Sequence, residues 1–226
     1  MKAFAKAMFD QLRYPDRDVT FHLQVIDGPG VDYPCRDLLH VRPEEQALIR
    51  SCLAGKQEPR ILDIACGLGR HSAFASSVSP HARITLVETN EQLRDYCLSI
   101  LPGAIAYEQF DNVPAHSRFD VAFLMCNGLG VFGSETATRC QLQRLFSLLV
   151  DGASVLIEAG NFGTGSFYSA QHEIEYGGSV DGPFTWSYAT REWLQQELVA
   201  AGFAIISVTP SISGGRFFIC HAQKSG

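Results

Sequence analysis

The chain has 226 residues, a formal net charge of -6, and 46% hydrophobic against 19% charged residues. That is enough for one well-buried α/β domain and is not the composition of a disordered chain. No Lys/Arg run is present to track phosphates, and no apolar stretch approaches the roughly 20 residues of a membrane span, so neither a nucleic acid nor a membrane is an expected partner.

Residues 1–18 include two lysines but no apolar core or small-residue cleavage site, so no secretory signal is expected and the cytoplasm is the expected location. The seven cysteines agree: the number is odd and no CxxC pair occurs, so no disulfide framework is indicated. The seven histidines show no HxH or HxxxH spacing, and no metal site is expected. Oligomeric state stays open between monomer and homodimer.

In chain order, residues 1–57 read as an N-terminal helical extension. Phe4, Met8 and Leu12 have helical spacing up to about Arg13, residues 14–40 are rich in turn formers such as Asp27-Gly28-Pro29-Gly30, and a helix opens at Arg42-Pro43-Glu44-Glu45 and stops at Gly55. From 58 to 226 strands and helices alternate. Strands are expected at 60–65, 82–88, 104–109, 119–125 and 153–158, with helices to about Val78, over Asn90 to Leu101, and over 135–149. Continuous apolar strands separated by helices mean a parallel sheet covered on both faces. Residues 161–189 read as a long loop insertion, followed by a helix from Thr190 to Ala201. Strands at 204–208 and 216–221, joined through Pro210 and Gly214-Gly215, must pair antiparallel.

The chemistry gathers after the first of these strands, at Asp63-Ile64-Ala65-Cys66-Gly67-Leu68-Gly69-Arg70-His71-Ser72. Glycines here let backbone approach a ligand, and the following helix N-terminus offers free N–H groups. Ser72 stands where a dinucleotide fingerprint requires its third glycine. The acid before the turn suits a cationic ligand better than a pyrophosphate. Glu88 ends the second strand, nineteen positions after Gly69, where a carboxylate pairs with ribose hydroxyls. Together they point to a nucleoside carrying positive charge.

At these residues the chain resembles the class I S-adenosylmethionine-dependent methyltransferases, over about residues 58–223. Asp63 to Gly69 is similar to their glycine motif, with Ala65 where the family usually has its first glycine, and Glu88, with Thr89 beside it, is similar to their ribose-binding acid. Phe110-Asp111-Asn112-Val113-Pro114 resembles the segment whose acid meets the adenine amino group. Met125-Cys126-Asn127 resembles the end of the fourth strand, which flanks the methionine moiety. Asn127-Gly128-Leu129-Gly130-Val131-Phe132-Gly133 is similar to the loop of a small bacterial subgroup. The resemblance implies a Rossmann-like doubly wound sheet of seven strands in the order 3-2-1-4-5-7-6, closed by the antiparallel hairpin. It also implies S-adenosylmethionine as cofactor and methyl transfer to a small molecule. One alternative is intramolecular cyclisation, as in azetidine-2-carboxylate synthases; another is a non-catalytic nucleoside-binding module.

Each assignment has a plainer counterpart. Asp63 and Glu88 could cap helices; His71 fits helix packing better than nucleoside contact; Arg70 reads as a solvated charge, and Cys66 as a small residue in a tight turn. The rings of 161–189, among them Phe162, Tyr176 and Trp186, either face a sulfonium or pack the loop onto the sheet. Tyr176 is the expected ring at the reacting end, paired with Asn127 as a catalytic residue. Tyr14, Phe21, His22 and Tyr33 read as lid residues over the cofactor, with Phe132 on the substrate side, unless the extension is only a docking helix.

Overall fold

The computed structural model describes residues 2–160, 165–211 and 217–226. Seven strands form the main sheet: β3 (Arg60–Ile64), β4 (Arg83–Val87), β5 (Ile105–Tyr107), β6 (Phe119–Leu124), β7 (Leu149–Gly160), β10 (Phe203–Pro210) and β11 (Phe217–Lys224). Their spatial order is β10-β11-β7-β6-β3-β4-β5, the expected 3-2-1-4-5-7-6. Strands β3 to β7 are parallel, and β11 pairs antiparallel with both β7 and β10. The link through Gly214 and Gly215, with Arg216, lies outside the described residues.

Alternation along the strands splits the core in two. Ile61, Val121 and Phe123 face α2 (Pro43–Leu53) and α3 (Arg70–Val78), through Ile49, Leu53 and Ala75. Leu62, Leu124, Val155 and Ile157 face α5 (Glu135–Leu148) and α6 (Arg191–Ala200), through Leu142, Leu145, Leu194 and Leu198. Helix α4 (Glu91–Ile100) covers β4 with Cys97 beside Ile84 and Leu86. Helix α2 therefore shares a core with the sheet, although its residues precede the boundary expected at 57/58. No helix among the described residues is long and apolar enough to cross a membrane.

The extension and the insertion differ from expectation. Among the described residues of the extension only α1 (Ala3–Arg13) and α2 are α-helical; between them β1 (Thr20–Val25) and β2 (Gly30–Pro34) form a hairpin. The insertion is a second hairpin, β8 (Phe167–Tyr176) and β9 (Ser179–Ala189), and β1 pairs with β8 to make a four-stranded antiparallel sheet, β2-β1-β8-β9. The reason is local. Thr20-Phe21-His22-Leu23-Gln24-Val25 alternates polar and apolar residues, the period of a half-buried strand. Gly177 and Gly178, at φ 56° and 77°, supply the left-handed pair that a two-residue hairpin turn demands.

Helix α1 is fastened to this second sheet by its N-terminus. The Asp181 carboxylate on β9 accepts the N–H groups of Ala3 and Phe4, both at 2.8 Å, where the helix dipole favours an anion. Asp181→Ala should lower stability by about 1–2 kcal/mol, the usual cost of a lost cap, read as a shifted midpoint in urea denaturation.

Candidate active site

The parallel strands end on one side, where open α/β sheets bind their ligands. There the main and second sheets enclose a cleft of about 2560 Å³. Asp63, Ala65, Cys66, Gly67, Glu88, Thr89, Asp111, Cys126 and Asn127 all line it, as do Phe132 and Trp186. Three of the residues expected to bind cofactor do not. Gly69 caps α3 at φ 70°, the Asn112 side chain accepts from Gln109 N at 3.1 Å, and Val113 is buried in the core.

The glycine turn is bent by left-handed residues at Ala65, Gly67 and Gly69, with φ 56°, 57° and 70°. Ala65 holds a conformation that costs an L-residue about 1–2 kcal/mol. A Cβ built on Gly67 meets nothing within 4 Å, so this backbone is open to a ligand. The Glu88 carboxylate accepts Gly67 N–H at 2.9 Å on one oxygen and Asn90 N–H at 2.8 Å on the other. Capping and ligand roles coexist here, because each oxygen keeps a further lone pair. Burial raises the Glu88 pKa and the two N–H groups oppose the rise. Asp63 is fully buried, accepts Ser72 Oγ at 2.7 Å, and is likewise pushed up by burial. Asp111 is exposed and accepts Gln141 Nε2 at 3.0 Å.

Beneath the cleft lies a buried ionic network that the sequence did not reveal. Arg42 Nη2 bridges Glu45 Oε1 at 2.6 Å and Glu158 Oε1 at 2.7 Å. Arg70 is no solvated charge. It donates through Nη1 to the carbonyls of Asp37 and His40, at 2.6 and 2.8 Å, and through Nη2 to Glu45 Oε1 at 3.1 Å and to Cys126 Sγ at 2.9 Å. Glu158 also accepts Cys126 N–H at 2.7 Å and the Ser211 hydroxyl. Burial works against the Glu45 charge, but the His71 contact and the nearby Arg70 and Arg42 outweigh it and hold its pKa at about 2. His71 is buried in this network and lines the cleft, its Nε2 3.4 Å from Glu45 Oε1 and 3.2 Å from Arg70 Nε. Glu158 had a readable signal, an acid closing an apolar strand; Arg42 and Glu45 read only as a helix start.

Across the cleft stands the inner face of the second sheet. Phe21 and Tyr33 stack at 5.6 Å, and Trp186 packs so closely on the loop after β6 that a Cβ on Gly130 would lie 2.1 Å from its indole nitrogen. That glycine is there for close approach. Asn127 Nδ2 donates to Ser187 O at 3.0 Å and ties β9 to the end of β6. Tyr188, one of the rings of 161–189, also lines this face, and so does His172, which carries no signal in a segment that reads as a loop.

Three expected site residues lie elsewhere. Tyr176 sits beyond the bulge between His172 and Ile174, and its hydroxyl donates to Asp10 at 2.9 Å in a small separate cavity with Tyr14 and Arg17. Four residues along a strand is about 13 Å, enough to carry it from the cleft to α1. Tyr14 ends α1 and stacks against Arg17 at 4.3 Å. His22 is not among the residues that line the cleft; its Nδ1 lies 2.8 Å from Asp32 Oδ1 on the neighbouring strand. Phe162 lies outside the described residues.

No protein-family model matches the sequence, and no curated protein does. Solved structures do. A methyltransferase from Bacteroides fragilis, S-adenosylmethionine-dependent and crystallised with S-adenosyl-L-homocysteine, superposes with a TM-score of 0.74 at 17% identity, over 100% of this chain and 95% of that one. The fold is that of S-adenosylmethionine-dependent methyltransferases. The CcbJ methyltransferase of Streptomyces caelestis follows at 0.63 and 15% identity, over 80% of this chain and 89% of that one. The 1,6-didemethyltoxoflavin-N1-methyltransferase of Burkholderia thailandensis, with that compound and S-adenosylhomocysteine bound, gives 0.58 and 17%, over 81% and 80%.

Within this methyltransferase fold, Arg70 is the link between the glycine turn and residues 37–45. Arg70→Met should destabilise the protein by about 3–5 kcal/mol, since it strands part of a buried anion, and the loss should appear in chemical denaturation monitored by circular dichroism.

Proposed function

We propose that the protein is an S-adenosylmethionine-dependent methyltransferase acting on a small molecule. The observation that carries this reading is the Glu88 carboxylate, held at the end of β4 by the Gly67 and Asn90 N–H groups. A carboxylate in that place suits the two hydroxyls of a ribose. The surrounding residues fit the rest of the cofactor. The open backbone at Gly67 leaves room for its close approach, and Asp111 is available to the adenine amino group. Cys126 and Asn127 would flank the methionine end. Arg42 Nε, buried without a hydrogen-bond partner and 3.7 Å from Glu44 Oε1, is a donor suited to the methionine carboxylate.

When bound, S-adenosylmethionine supplies a methyl group on a sulfonium. The chain's own task is then to align the reacting atoms and keep water out. In this reading the second sheet is the lid over the cleft, with Trp186 and Phe132 on the substrate side. A single small-molecule site occupies about 300–1000 Å³, so the cleft has room for an acceptor beside the cofactor, which favours transfer over cyclisation. The neighbour with bound 1,6-didemethyltoxoflavin supports a small acceptor. The proposal extends to a cytoplasmic enzyme with no nucleic-acid or membrane partner, supported by the net charge of -6 and the free cysteines.

Calorimetry with S-adenosylhomocysteine checks the ribose contact. Glu88→Ala should bind it at least about tenfold more weakly, as expected from the loss of charge-assisted hydrogen bonds worth about 1.5–3 kcal/mol. Glu88→Gln should fold like the parent and lose less. Product analysis separates the chemistries: with acceptor present, S-adenosylhomocysteine should accumulate. Methylthioadenosine formed from S-adenosylmethionine alone would mean cyclisation instead.

A further inference from the structure

The inner face of the second sheet carries a row of rings. Tyr168 and Tyr188 stack with centroids 4.8 Å apart, and Phe184 meets Trp186 edge-on at 6.0 Å. His172 stands in this row, 2% exposed, with its ring 6.0 Å from Phe184. Its Nε2 shares a hydrogen bond of 3.2 Å with the Tyr188 hydroxyl. Its Nδ1 is buried and has no hydrogen-bond partner. Burial lowers the His172 pKa, so the imidazole is neutral near physiological pH.

A second orphan lies on the same cleft. Asn127 Oδ1 is buried without a partner, while Nδ2 is spent on the carbonyl of Ser187, the residue before Tyr188. Buried polar atoms left unpaired are costly, and a ligand N–H or O–H removes that cost. At the network beside Cys126 a protonated aliphatic amine finds no free carboxylate. Glu45 is taken by Arg42 and Arg70, and Glu158 by Arg42, Ser211 and the Cys126 N–H.

We propose that the methyl acceptor is a planar aromatic or heteroaromatic molecule bearing an N–H or O–H, stacked on this ring row, and that His172 Nδ1 is the base that takes its proton. The proposal rests on the methyltransferase reading of the same cleft. Nε2–H donates to the Tyr188 oxygen, which fixes the ring and leaves the Nδ1 lone pair toward the acceptor. The acceptor's proton passes to Nδ1 as its oxygen or nitrogen bonds to the methyl carbon. The sulfonium C–S bond breaks with its electron pair staying on sulfur, and the imidazolium then gives the proton to water. Asn127 Oδ1 accepts a hydrogen bond from the second polar group of a bidentate acceptor.

The test uses the full chain, 7-hydroxycoumarin, 4-nitrocatechol and benzimidazole as aromatic probes, and glucosamine as the aliphatic amine. With S-adenosylhomocysteine present, 7-hydroxycoumarin should bind, followed by its own fluorescence, and Tyr168→Leu should weaken that binding about tenfold. With S-adenosylmethionine, at least one aromatic probe should be methylated and glucosamine should not. His172→Gln should lower kcat about 100-fold or more with little change in KM, the usual share of a general base. The loss should shrink for 4-nitrocatechol, the more acidic probe, and added imidazole should restore His172→Ala. Binding of S-adenosylhomocysteine without binding or methylation of any aromatic probe would overturn this proposal and leave the methyltransferase reading standing. Unchanged kcat in folded His172→Gln would remove the base. Failure to bind S-adenosylhomocysteine at all would overturn both readings together.

Discussion

Two guanidinium groups, Arg70 buried and Arg42 partly so, and two buried carboxylates decide how this protein is put together. Arg42, Arg70, Glu45 and Glu158 have balanced formal charge, and each is held by at least one opposite partner at 3.1 Å or less. Any one of them alone in this setting would be strongly unfavourable, so the four are viable only as a set. They come from different parts of the chain: the start of α2, the turn after β3, and the end of β7. Through Cys126, which meets both Arg70 and Glu158, the end of β6 joins as well. The ends of three parallel strands and the N-terminal segment are thereby locked in one arrangement, and the floor of the cleft is that arrangement.

The roof follows from a different economy. An isolated two-stranded hairpin is marginal in water. The β1–β2 and β8–β9 hairpins become one sheet by pairing β1 with β8, with His22 opposite Glu175 and Val25 opposite His172. One face of that sheet is rich in rings, and the cleft lies under it. Two contacts hold roof to floor at the end of β6: the Asn127–Ser187 hydrogen bond, and the Trp186 ring seated on Gly130. The Asn-Gly loop after β6 is thus a docking surface for the second sheet as much as a wall of the cleft. One short stretch of β9 meets both Asn127 and His172, the Ser187 carbonyl accepting from Asn127 Nδ2 and the Tyr188 hydroxyl sharing a hydrogen bond with His172 Nε2.

Legible in the residues alone were the main sheet and the acid–glycine wall of the cleft. Apolar runs such as Ile61-Leu62 and Val121-Ala122-Phe123 encode buried strands in their own residue types. The acid–glycine turn and Glu88 are set by spacing within one βαβ unit, where order along the chain and proximity in space coincide. The opposite wall of the cleft was decided only by tertiary structure. Whether Tyr176 or His172 meets the cleft depends on a bulge and on four residues of strand length. Whether Arg70 is solvated depends on Glu45 arriving from a helix that precedes the sheet. Trp186 reaches the site because a glycine 56 positions earlier makes room for it. Periodicity tells which face of a segment is buried. It does not tell which other segment will cover that face, because pairing between remote strands and compensation between remote charges are properties of the packed chain.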